Sequence, residues 1–95
     1  MKVTIREPEN KTYQSDFYSL DPAEHEIFYR ETVGELEEAG IDIDKEIVKP
    51  NGESIKIEKI DWYPAGHTMI IVASGQDLPA GTIIDLVKKG TLTIR

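Results

Sequence analysis

One stretch of this chain reads as a helix from cap to cap, and most of what surrounds it alternates with the period of a strand. Asp21 stands at the N-cap position, Pro22 at the first helical position and Glu24 three residues after the cap, which is a capping-box pattern. Gly40 follows Ala39 where a left-handed residue closes a helix. Between these ends Phe28, Tyr29, Val33, Leu36 and Ala39 fall on one arc of the helical wheel, which predicts that this arc lies on a sheet. Glu26 and Arg30 form a supporting i,i+4 pair on its flank. A lone amphipathic helix among short segments of period two restricts the chain to an α+β architecture.

The strands follow from periodicity and from the turns between them. Lys2 to Arg6 alternates, with Val3 and Ile5 on one side; Glu7 to Gln14 has no period and reads as a loop; Ser15 to Leu20 fits neither template. After the helix Ile41 and Ile43 alternate with Asp42 and Asp44, and Ile47 and Val48 continue the strand signal. Pro50-Asn51-Gly52-Glu53 is a turn, because Asn-Gly accepts positive φ at little cost. In Ser54 to Trp62, Ile55 and Ile57 share one parity while Ile60 and Trp62 share the other. A regular strand would send the two pairs to opposite faces, so a β-bulge is predicted near Glu58-Lys59. Tyr63-Pro64-Ala65-Gly66 is the next turn, and Thr68 to Ala73 has the continuous apolar run of a central strand. Ser74-Gly75-Gln76-Asp77 ends that strand.

Thr82 to Val87 is a further β-branched run and is expected as a strand. A helix opening at Pro79 competes, but Gly81, Thr82, Ile83 and Ile84 are poor helix formers in succession. The segment Asp77-Leu78-Pro79-Ala80-Gly81-Thr82-Ile83-Ile84 resembles the Leu-Pro-Ala-Gly-Thr stretch that opens a strand in SAF-type β-clip domains. The resemblance covers eight of the 95 residues and implies nothing about function. Lys88-Lys89-Gly90 then turns the chain into Thr91 to Ile94. Residues 1–95 are therefore expected to form a single α+β domain. Its core is a twisted, mainly antiparallel sheet of five or six short strands with one amphipathic helix packed on one face.

Charge is the most uneven property of the chain. Between Glu7 and Glu46 thirteen acidic residues face three basic ones, whereas the remainder holds eight basic and five acidic residues. The net charge of −7 is thus concentrated in one region. A duplex-binding protein would carry a basic stripe, so direct nucleic-acid binding is not expected. No apolar run approaches the roughly 20 residues that cross a bilayer, and no membrane association is expected. The amino terminus lacks the apolar segment of a secretory signal, which points to the cytoplasm. The absence of Cys removes disulfides, thiolate chemistry and zinc fingers.

Chemistry-bearing motifs are scarce. There is no Gly-x-Ser-x-Gly elbow, no Walker loop and no Gly-x-Gly-x-x-Gly. His25, His67 and Asp61 would have to converge to hold a metal, and no ligand spacing enforces this, so neither a metal nor a cofactor is expected. Two features remain as contact candidates. The first is the arc of Glu24, Glu31, Glu35 and Glu38 with Ile27 at its edge, whose i,i+4 spacing of about 6 Å is of the order of successive phosphates along a strand. The second is the turn holding Trp62, Tyr63 and His67, residue types that often anchor interfaces. The reading that follows is a non-enzymatic, acidic protein-binding module that engages a basic partner surface. In its sharper form it is an inhibitor occupying the groove of a nucleic-acid-binding protein. The alternatives are an assembly component that oligomerises through sheet edges, and a small enzyme or metal-binding protein using His67 and Asp61.

Overall fold

The computed structural model describes residues 1–6 and 22–95, and within these all side chains but those of 22–26 and 65. The elements run β1 (Thr4–Ile5), α1 (Pro22–Glu38), β2 (Glu46–Val48), β3 (Ser54–Tyr63), a 3-10 turn (Pro64–Gly66), β4 (Thr68–Ala73), β5 (Gln76–Pro79), α2 (Ala80–Lys88) and β6 (Thr93–Ile94). The expected loop over Glu7 to Gln14, the segment Ser15 to Leu20 and the Asp21 cap lie outside the described residues.

The long strand β3 is the spine of the sheet. Strand order is β5-β4-β3-β2-β6, with β1 lying parallel along the far end of β3 and every other pairing antiparallel. Ser54 to Lys56 pair with β2, and from Ile57 onward β3 pairs with β4. The register shifts between Ile57 and Lys59, where the parity change in the sequence places a bulge. The shift brings Ile57, Ile60 and Trp62 to the same core, with 0%, 0% and 3% of their surfaces exposed. Ile71 opposite Ile60 and Met69 opposite Trp62 complete that face.

Both helices close this face, since Leu36 of α1 and Ala80, Ile83 and Ile84 of α2 belong to the same buried cluster. α1 ends at a Schellman cap. The N–H of Ile41 donates to the Leu36 carbonyl at 2.9 Å and that of Gly40 to the Glu37 carbonyl at 3.0 Å, with Gly40 at φ +76°. The cap folds Ile41 onto Leu36, and both are buried.

Three expectations need correction. Thr82–Val87 is helical, inside α2, so the sheet carries two helices rather than one. Ala80, Ile83, Ile84 and Val87 recur at i, i+3, i+4 and i+7, and burying that stripe outweighs the weak helix propensities of Gly81, Thr82 and the isoleucines. The same pair of cap bonds, Thr91 to Leu86 and Gly90 to Val87, ends α2. Second, Ile41 to Asp44 is not strand. Ile43 N–H donates to Asp42 Oδ1 at 2.7 Å and Asp44 sits at φ +71°, so short acidic side chains turn the chain before β2 begins at Glu46. Third, Ser74-Gly75 does not merely end β4. Both residues have positive φ, the condition of a type I′ hairpin, and they return the chain as β5 with Ala73 paired to Gln76.

Candidate functional site

At 100° per residue, Ile27, Glu31, Glu35 and Glu38 occupy an arc of about 80° opposite the buried Leu36. All four are exposed, Ile27 to 54%. Glu24, expected on the same arc, has a side chain outside the described set, as has His25. Among the described residues, several carboxylates find cations and others, such as Glu58, Asp77 and Asp85, do not. Glu46 pairs with Arg95 at 2.7 Å, Glu53 with Lys49 at 3.6 Å and Asp44 with Lys56 at 3.7 Å. Glu31, Glu35 and Glu38 make no such pair with any described residue, so among the described residues the exposed face of α1 carries negative charge without a neighbouring cation.

The aromatic turn divides differently from expectation. Trp62 is only 3% exposed and is a core residue, because β3 alternation aims it at α1. It therefore offers no surface of its own to a partner. Tyr29 meets it edge-on with ring centroids 5.5 Å apart. His67 has φ +48° and is half-buried. Its ring stacks on Phe28 at 4.6 Å and lies nearly parallel to Trp62 at 6.3 Å. Phe28 was expected on the buried arc but is 46% exposed; it lies on the flank of α1, where one ring face rests on His67 and the rest meets solvent. Exposed Phe28 thus borders the acidic arc, and sequence reading missed it because its neighbour His67 is 39 positions away. Tyr63 is 38% exposed, but strand alternation sends it to the face opposite Trp62, away from α1.

Asp61 shares that opposite face. It is 2% exposed; its Oδ2 lies 3.5 Å from Arg6 Nε and 3.7 Å from Lys59 Nζ, and its Oδ1 has no hydrogen-bond partner. The carboxylate ties β1 to β3, while the His67 ring lies with Trp62 on the other side of the strand, so the two do not form an acid–base pair. Among the described residues no three His, Asp or Glu side chains gather as metal ligands, and no helix is long and apolar enough to cross a membrane.

The chain matches no protein-family model, no curated protein and no solved structure.

Proposed function

We propose that this chain is a small cytoplasmic binding module that docks the exposed face of α1 on a basic, partly apolar surface of a partner protein. One observation carries the reading: among the described residues Glu31, Glu35 and Glu38 are unpaired, and they are exposed beside exposed Ile27 and Phe28. Unpaired carboxylates steer a basic partner and select against acidic ones, and the two apolar side chains supply area to bury once contact is made. The sharper form is that the partner is a nucleic-acid-binding protein whose groove the acidic face occupies, since carboxylates about 6 Å apart along a helix offer a basic groove a row of anions.

The test is capture of partners at low salt followed by affinity measurement on the purified pair. The expected result is an affinity that falls steeply as ionic strength rises, and loss of binding in the triple variant Glu31→Lys, Glu35→Lys, Glu38→Lys, which removes only exposed groups. The sharper form adds that oligonucleotide displaces the chain from its partner. Binding that ignores salt, or that survives the triple reversal, rejects the reading.

A further inference from the structure

The β2–β3 hairpin reaches past the part of the sheet that α2 covers. Its tip is held by Lys49 N–H donating to the Glu53 carbonyl at 2.7 Å and Gly52 N–H to the Lys49 carbonyl at 2.9 Å. α2 has nine residues and buries Ala80 and Ile84 in the core, while buried Ile83 also borders the space beside the hairpin. Between the hairpin, β5 and the second half of α2 an open cleft of about 460 Å³ remains. That volume lies within the range of about 300–1,000 Å³ typical of small-molecule sites. Buried Ile47 and Leu92 line it together with half-buried Ile55, Leu78 and Leu86.

Its electrostatics differ from those of the α1 face. In a protein of net charge −7, Lys49 is the only ionisable side chain lining this cleft among the described residues, and the other polar lining groups among them, Asn51 and Gln76, are neutral. Lys88 and Lys89 close the same end of α2, within one turn of Leu86. Among the described residues Lys49 Nζ is engaged only by Glu53 at 3.6 Å, a carboxylate whose side chain is 67% exposed. Exposed pairs of this kind contribute little to stability, so an incoming anion can exchange with Glu53.

We infer that the cleft between the β2–β3 hairpin and α2 binds small aliphatic carboxylates, with the tail among Ile47, Ile55, Leu78 and Leu86 and the carboxylate on Lys49 Nζ. An apolar tail is the complement of the lining, and an anionic head is the complement of its one charge. The site is separate from the acidic face of α1 and does not depend on the function proposed for that face.

The probe is octanoate, kept below its micelle-forming concentration and titrated into the full chain while backbone amide resonances are followed. Saturable shifts centred on Ile47, Lys49, Leu78 and Leu86 are expected. Acetate, which lacks the tail, should give none, and octyltrimethylammonium, with the same tail and opposite charge, should bind about tenfold more weakly. Lys49→Gln should weaken octanoate about tenfold with the spectrum otherwise folded. The Glu31, Glu35, Glu38 triple variant should bind octanoate as the parent does, which separates failure of this site from failure of the acidic face. The inference is overturned if shifts do not saturate, if they map to α1, if the cationic probe binds as well as octanoate, or if Lys49→Gln has no effect.

Discussion

Asp61 is the residue whose position is hardest to anticipate and whose substitution is most informative. It stands between Ile60 and Trp62, which are both core residues, on the opposite face of the same strand, and it is itself almost fully buried. A buried carboxylate with one orphaned oxygen gains from its two cations but loses its hydration. The cations are each 44% exposed and can return to water when the carboxylate is removed. Asp61→Val, similar in volume and better suited to a strand, is therefore expected to leave folding stability within about 1 kcal/mol of the parent or to raise it. Removing both cations, Arg6→Ala with Lys59→Ala, leaves the charge buried and unpaired and should cost about 3 kcal/mol. Urea denaturation of the two variants checks the pair of outcomes; the reverse order would show that Asp61 is a net stabiliser.

At the scale of the element, α1 offers two glycines with opposite expectations. Gly40 closes the helix at φ +76°, where a side chain is strained whatever the space around it. Gly40→Ala should cost about 1–2 kcal/mol. Gly34 lies inside the helix, and a Cβ added there would meet nothing within 4 Å. Gly34→Ala should stabilise by about 0.5–1 kcal/mol through the lost freedom of the unfolded chain. Thermal or urea unfolding of both variants reads the sign directly. α2 teaches the complementary lesson. Its period of 80, 83, 84 and 87 is visible in the sequence, as are Pro79 before it and Lys88-Lys89-Gly90 at its end. The β-branched composition conceals them, because propensity is worth tenths of a kcal/mol per residue while burial of Ile83 and Ile84 is worth about 1.5–3 kcal/mol each. The SAF-like string around Leu78 to Thr82 is likewise the junction of a strand with a helix, not the opening of a strand.

For the whole molecule the sheet edges decide whether the chain assembles. β5 has four residues, carries Asp77 and ends in Pro79, and β6 has two residues. Short edges bearing a charge and a proline are poor templates for pairing with another copy. Light scattering over rising concentration should therefore return the monomer mass of 10.7 kDa. A concentration-dependent dimer would favour assembly through the edges over docking by the acidic face. Charge also divides at this scale among the described residues: Glu31, Glu35 and Glu38 line the outside of α1 without a paired cation, and the cleft beside α2 is lined by one lysine.

The sequence by itself determined what depends on neighbours along the chain. The Gly40 cap of α1, the Asn51-Gly52 hairpin, the bulge beside Glu58 and the acidic arc of Glu31, Glu35 and Glu38 all follow from residue spacing, because caps, turns and parity are local. Tertiary structure decided what depends on residues far apart. It buried Trp62 and set His67 between it and Phe28, left Phe28 half in water, placed Tyr63 on the other face, and made a helix of Ala80–Lys88. Each of those outcomes rests on apolar area that exists only once β3, β4 and the two helices meet, and no local pattern specifies it.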